Sequence, residues 1–496
     1  MSSTPNIAPG SNGNTYDVLI IGAGLSGIGT AYWLQEKCPQ KSFTILEARH
    51  TLGGTWDLFR YPGIRSDSDM FTFGFRFRPW REPQSLSKGD AILDYLRETA
   101  EAAGIDKRIR YGYRVRRAAW SSEEAHWTVD VEGPDGPVQL RAGFLCLCTG
   151  YYDFNEAHRP RFEGEAAFRG PLVLPQFWPQ DLDYSGKRIV VVGSGATAVT
   201  LVPAMAQQAA HVTMLQRSPT YIMSLPNRNK LFMRLRKWLP DTAAYRITRW
   251  RNLLLSIASF RAARSFPGFV KKLVVKSAAK QLAPGFEVEK HFSPKYNPWD
   301  QRFCVVPDGD LFRAIRSGKA GVVTDEIARF SENGIVLQSG DELRADIIVL
   351  ATGLNLRLLG GAEIFVDERK VEPNASMIYK GMMVSDVPNL SLAFGYTNAS
   401  WTLKTDLTAN YVCRLLNYMD RKGYRVVVPQ RQAGVAPRPF LDFQSGYIQR
   451  AGGILPQQGH RRPWRVYQNY LMDMLTTRFG RINDGVLRFS CKKKTS

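Results

Sequence analysis

The feature that most restricts the fold is a pattern that occurs twice. Val18 to Ile21 is a short apolar run leading into Gly22-x-Gly24-x-x-Gly27 and then a helix-like stretch; Ile189 to Val192 leads in the same way into Gly193-x-Gly195-x-x-Ala198. Apolar runs of that length before a glycine turn read as buried strands of a parallel sheet. The first two glycines let the backbone turn tightly and approach a pyrophosphate at a helix N-terminus, where unpaired N–H groups favour anions. The third small residue lets helix and strand pack closely. Two such units predict an α/β chain with two Rossmann-like dinucleotide-binding domains.

The strands that follow separate the two units. Phe43 to Leu46 ends in Glu47, a carboxylate that accepts from a ribose 2'-hydroxyl and repels a 2'-phosphate, so the first unit suits FAD or NAD. Val212 to Leu215 is followed by Gln216 and Arg217, which removes the carboxylate and offers a guanidinium able to pair with a 2'-phosphate. The second unit therefore suits NADPH, unless Arg217 is only a solvated loop charge. Unlike sites in one chain imply hydride delivered at one and taken up by a flavin at the other. Phe144 to Cys148, running into Thr149-Gly150, and Asp346 to Leu350, running into Ala351-Thr352-Gly353, read as strands crossing back between the domains.

After Glu47 comes LGGTWDLFRYPGIRSDSD, with Gly53-Gly54-x-Trp56, Arg60-Tyr61-Pro62-Gly63 and Asp67. A second element places Phe162, Gly164, Phe168, Gly170, Trp178 and Pro179 just before the second glycine turn, and YNPWDQRFCVVPDGDLF follows further on. From Tyr16 to the C-terminal region the chain resembles the Baeyer-Villiger branch of the class B flavoprotein monooxygenases, and within it the ethionamide-activating subgroup. The resemblance implies oxygen insertion into a ketone through a flavin C4a-peroxide, giving an ester or lactone, with sulfide or thioamide oxygenation beside it. It assigns the essential arginine to Arg302 and the carboxylate that holds it to Asp67. A guanidinium suits that role because it cannot lose its proton and stabilises an oxygen anion. The alternatives are a heteroatom-only flavin monooxygenase and a poorly coupled NADPH oxidase or flavin reductase.

Two positions depart from the family pattern. Gln301 replaces a lysine that usually assists the 2'-phosphate, and Leu174 replaces a histidine at the centre of the Phe-Gly element. Leucine neither donates, accepts nor titrates, so either the position tolerates an apolar residue or NADPH oxidation leaks to hydrogen peroxide. The candidate cofactor-binding positions are Gly22, Gly24, Leu25, Ser26, Gly27, Glu47, Gly54, Thr55, Trp56, Asp67, Val115, Thr149, Gly193, Ser194, Gly195, Ala196, Thr197, Arg217, Ser218, Ala351, Thr352 and Gly353. Trp401, Thr402 and Leu403 join them as the start of a helix whose dipole would face the flavin pyrimidine.

Other chemistries lack support. The six cysteines include no C-x-x-C pair, the six histidines are scattered, and no metal-ligating set stands out. Residues 1–15 read as a disordered leader without a signal-peptide core, and localisation reads as cytoplasmic. The net charge of +21 is uneven: from Lys230 to Gln281 thirteen basic residues face only Asp241. KLFMRLRKWL, RWRNLLLSIASF and FVKKLVVKSAAKQL read there as basic amphipathic helices, either covering the cleft or making peripheral membrane contact through 230–282. Nucleic acid is not an expected partner, because no reading module accompanies the charge; small-molecule ketone or sulfide and O2 are. The expected layout is 16–155 and 386–496 for FAD, 156–224 and 301–385 for NADPH, and 225–300 as the helical insertion.

Overall fold

Strand β1 (Thr15–Ile21) sends Val18 and Ile20 to one side of its sheet and Leu19 and Ile21 to the other. That alternation gives two separate apolar clusters on a strand buried on both faces, as a central parallel strand requires. β9 (Arg188–Val192) repeats it, with Ile189 and Val191 in one cluster and Val190 and Val192 in another. A computed structural model describes residues 13–301, 303–441, 446–451 and 453–491. Arg302, residues 1–12 of the expected leader and residues 492–496 lie outside the described residues.

The first sheet is built on β1, which leads into helix α1 (Leu25–Lys37) and β2 (Phe43–Glu47); short helices α2 (Thr55–Leu58) and α3 (Met70–Phe73) and helix α4 (Gly89–Ala102) follow. β3 (Ile109–Tyr111), β4 (Arg114–Ser121), β5 (His126–Gly133) and β6 (Gly136–Leu147) complete its first part. β1 lies between β2 and β6 in parallel register, whereas β4, β5 and β6 form an antiparallel meander. The second sheet is wholly parallel in the order β13-β10-β9-β17-β8: β8 is Leu172–Val173, β10 His211–Gln216, β13 Ala320–Thr324 and β17 Ile347–Leu350. Helix α5 (Ala196–Met205) links β9 to β10.

Two expectations need correction. β6 and β17 do not cross between domains. Each is an interior neighbour of its own central strand, and the crossing is made by β7 (Tyr152–Ala157) and β18 (Leu354–Leu356), which pair as an antiparallel ribbon. The return to the first sheet also comes well before residue 386: β19 (Glu363–Val366) pairs with β4, and β20 (Arg369–Lys370) with β19. Later, β21 (Ile378–Tyr379) and β22 (Met383–Val384) form a hairpin, β23 (Leu390–Leu392) pairs with β6, and helix α11 (Trp401–Lys422) packs against α1.

The Phe-Gly element is a packing seam under the second sheet. Phe162 stacks on Phe330 with centroids 5.3 Å apart, and a side chain at Gly170 would lie 2.2 Å from the Asp346 carbonyl oxygen. Leu174 packs against the same apolar cluster, an environment that leucine fills without an unpaired polar group. Between β11 (Ile222–Leu225) and β12 (Cys304–Pro307), which pair with each other, lie α6 (Lys230–Leu235), α7 (Asp241–Ser265), α8 (Pro267–Ala279) and α9 (Val288–Phe292). Helix α10 (Asp310–Arg316) follows β12. No helix among the described residues is long and apolar enough to cross a membrane. Cys38, Cys146, Cys148 and Cys413 are buried free thiols, and Cys304 is buried as well; burial pushes Cys148 up to about 12, well away from a reactive thiolate.

Candidate functional site

The two glycine turns have nearly the same backbone. Gly22 and Gly193 take φ of 104° and 131°, a region costly for any residue with a Cβ. Gly24 and Gly195 then adopt φ, ψ of −78°, −171° and −79°, −174° as helix N-caps, and neither helix is capped by a side chain. The first-turn N–H groups of α1 and α5 are therefore left for an outside acceptor. Opposite Gly24 stands Gly54, where an added Cβ would come within 3.3 Å of the Gly24 Cα. Bare backbone on both sides of that slot is a cradle that any side chain would narrow, and it fits a pyrophosphate.

A cleft of about 530 Å3 runs from this slot to the second turn. Gly22, Gly24, Leu25, Ser26, Glu47, Gly54, Thr55, Trp56, Asp67, Val115, Thr149 and Trp401 line it from the first unit, and Ala196 and Thr197 from the second. Glu47 is buried at the end of β2; its Oε2 accepts from the Ala23 N–H at 2.7 Å and its Oε1 from the Arg49 N–H at 2.9 Å. Burial pushes this carboxyl above its ordinary value, with the two N–H bonds opposing. A carboxylate has room for further donors beyond those two.

The Arg-Tyr-Pro-Gly segment staples the two units together. Arg60 pairs with the buried Asp57, which also takes Arg49 at 2.5 Å. Gly63, at φ 76°, approaches α5 so closely that a Cβ would lie 2.6 Å from that of Ala204. Arg65 reaches across to Asp310 at the start of α10, with Nη2 3.3 Å from Oδ1. Beyond this staple Asp67 faces the cleft, while Asp69 faces away. Asp69 caps α3 by accepting from the Thr72 N–H at 3.0 Å and takes the Asn252 amide at 3.0 Å. Enclosure raises its carboxyl to about 6.

Some expected residues stand elsewhere. Thr402 and Leu403 are buried with Thr402 Oγ1 donating to the Phe73 carbonyl, so of the α11 trio only Trp401 reaches the wall. Its indole donates to Ser26 Oγ at 3.0 Å and stacks on Tyr151. Gly27 packs beneath the first turn. Gly193, Ser194 and Gly195 form the second turn, whereas Ala351, Thr352 and Gly353 follow β17, outside the lining. The position level with Glu47 is Gln216, whose amide donates to the His291 carbonyl at 2.8 Å and to Thr324 Oγ1 at 2.9 Å. Arg217 and Ser218 come next and are exposed beyond the strand. Just after Arg302 in the sequence, Val305 lines the cleft and Phe303 stacks on Tyr221. The lining also includes Arg49, Tyr151 and Arg357, which the motifs did not single out; Tyr151 directly follows Thr149-Gly150 and was within reach of that motif.

The helical insertion is anchored next to this site. Arg249 of α7 is buried, and its Nη1 lies 2.8 Å from the carbonyl oxygens of Phe71 and Gly74 and 2.9 Å from the Tyr245 hydroxyl. These carbonyls close α3, and helix C-termini leave such acceptors without intrahelical partners. Arg249→Met is expected to destabilise the protein by about 2–4 kcal/mol, since buried acceptors lose a charged donor. Urea unfolding of the flavin-loaded protein measures this; a loss below about 0.5 kcal/mol, the scale of an ordinary surface change, contradicts the anchor.

Comparison with known proteins fits this geometry. A family model described as flavin-binding monooxygenase-like matches residues 79–421, and one for an NAD(P)-binding Rossmann-like domain matches 20–82. The FAD-containing monooxygenase EthA of Mycobacterium tuberculosis is 54% identical over 476 residues, covering 96% of this chain and 97% of its own. The chain belongs to the flavin-binding monooxygenase-like family. As a family member it is a flavin-dependent monooxygenase, and the resemblance to class B enzymes and their ethionamide-activating subgroup is borne out. The probable FAD-binding monooxygenase AlmA of Acinetobacter baylyi is 48% identical over 483 residues, covering 97% of this chain and 97% of its own. Two solved structures share the fold at lower identity. Oxidised steroid monooxygenase bound to NADP matches at TM-score 0.74 and 20% identity over 96% of this chain and 100% of that one. Cyclohexanone monooxygenase bound to epsilon-caprolactone matches at 0.71 and 18% over the same shares.

Proposed function

We infer that this family member is an NADPH- and FAD-dependent Baeyer-Villiger monooxygenase that converts ketones to esters or lactones and also oxygenates sulfides or thioamides. The observation that carries the reading is a single cleft bounded by the uncapped N-termini of both α1 and α5, with Asp67 between them. The overall reaction balances as ketone, O2, NADPH and a proton giving ester, NADP+ and water. Support comes from the FAD named in the curated relatives and from the NADP and the lactone named in the two solved structures.

The first turn and Gly54 would hold the FAD pyrophosphate, Glu47 the adenosine ribose, and Trp56 and Trp401 the neighbourhood of the ring. Ala196 and Thr197 would present N–H groups to the NADPH pyrophosphate, and Arg217 its charge to the 2'-phosphate. Bound flavin supplies hydride acceptance and oxygen activation. The protein's own work is to orient and to stabilise charge. Asp67 holds a cation at the cleft, Arg302 offers a permanently charged guanidinium to the oxygen anion that develops on the substrate carbonyl, and the stapled segment Arg60 to Asp67 keeps the two nucleotides in one relative placement.

Arg217→Ala is expected to raise the KM for NADPH about tenfold or more while leaving that for NADH little changed, as loss of a charge-assisted phosphate contact dictates. Unchanged discrimination between the two nucleotides removes Arg217 from the phosphate site. Matched ketone and sulfide substrates test the oxygenation itself. Ester formation from the ketone is the expected outcome; sulfoxide alone supports the heteroatom-only alternative.

A further inference from the structure

The helical insertion carries a surface that the cleft chemistry does not use. Of the fifteen large apolar side chains exposed among the described residues, eleven lie between Leu225 and Leu273. Trp238 is 85% exposed, Phe269 70% and Phe266 66%. On α7 the two edges have opposite characters: Tyr245, Arg249 and Leu253 are buried, whereas Ile247, Trp250 and Leu254, spaced three and four apart, are exposed. On α8, Phe269 and Leu273 share the exposed face with Lys272 and Lys276, while Val274, Val275 and Ala278 are buried.

Charge identifies what such a face fits. The thirteen basic residues and one acid from Lys230 to Gln281 make a net +12 (13 − 1) within a chain of +21. Asp241 is taken by Arg236, and Arg264 is met by Asp300. Among the described residues, Lys237, Arg246, Arg261, Lys272 and Lys276 are exposed without an ion pair. A second copy docked through the same face would bring like charges together, as an isologous interface demands. A nucleic acid would leave protruding leucine and phenylalanine in water. Aromatic and aliphatic side chains interleaved with lysine and arginine, on helices that lie along a surface, match the boundary between lipid headgroups and acyl chains.

We propose that the outer face of α6, α7 and α8 docks on an anionic membrane surface, with Trp238, Phe266, Phe269 and Leu273 entering the headgroup boundary and the lysines meeting lipid phosphates. The flavin-loaded full chain is sedimented with vesicles of phosphatidylcholine alone or mixed with phosphatidylglycerol. The mixed vesicles are expected to bind it at least about tenfold more strongly, as several basic residues acting together near an anionic surface require. The pairs Phe269→Ser/Leu273→Ser and Lys272→Glu/Lys276→Glu should each lower partitioning about tenfold or more with near-wild-type thermal denaturation, because these side chains are exposed. Equal binding to both vesicle types, absence of binding, or variants that bind as the parent does each overturn the proposal. So does concentration-dependent association in lipid-free solution that the Phe269→Ser/Leu273→Ser pair abolishes, which assigns the face to a second copy.

Discussion

Arg302→Ala is expected to leave flavin reduction by NADPH near normal while lowering oxygenated product by about 100-fold to 1,000-fold, the scale on which loss of one donor to a developing oxyanion is felt. The division between half-reactions is what matters. Hydride transfer to flavin needs the two nucleotides aligned, the task proposed above for the Arg60 to Asp67 segment, whose Arg65 pairs with Asp310. Oxygen insertion needs, in addition, a permanent cation beside the anion that forms at the carbonyl. Asp67 lines the cleft and Val305, three residues after Arg302, does so as well. Stopped-flow reduction and product analysis separate the two effects. Loss of reduction together with oxygenation assigns Arg302 to nucleotide placement instead.

Gly27→Val should abolish the flavin-loaded protein altogether. A Cβ at Gly27 would lie 1.9 Å from the Gly22 carbonyl oxygen and 3.0 Å from its carbon. Backbone atoms cannot rotate away as a side chain can, so α1 must move off β1 and the first turn must open. A cost above about 4 kcal/mol is expected, seen as insoluble or colourless protein. Gly195→Ala is the contrast, because nothing lies within 4 Å of the added methyl. It should keep its yellow colour and stability while weakening NADPH binding, since the methyl enters the space above the second turn. A yellow, stable Gly27→Val protein contradicts the close packing of α1 on β1.

What could be read from sequence was what short stretches dictate by themselves. The two strand–turn–helix units, the start of α11 and the basic helices were legible because glycine geometry and side-chain periodicity are local properties. The pairing of β19 with β4 was not, since it joins residues 246 positions apart (363 with 117, for example) through a strand of only four residues. Expecting the return to the first sheet at 386 followed from that. At the site, the family resemblance pointed to Asp67, but the residues alone do not separate it from Asp69; the turn into α3 sends one to the cleft and the other to the helix cap. Arg249 reads as one more solvated cation until α7 is seen against α3, where the Phe71 and Gly74 carbonyls receive it. Gln216 shows the reverse case. The absence of a carboxylate was legible, but its burial against His291 and Thr324 was not, and it leaves Arg217 as the exposed group at the strand end.

Oxygen insertion driven by NADPH is tested most directly by isotope. The flavin-loaded protein is bleached with NADPH without air, then mixed with 18O2 and a ketone. One labelled oxygen in the ester for each NADPH consumed is the expected result; unlabelled ketone with hydrogen peroxide as the sole oxygen product contradicts it.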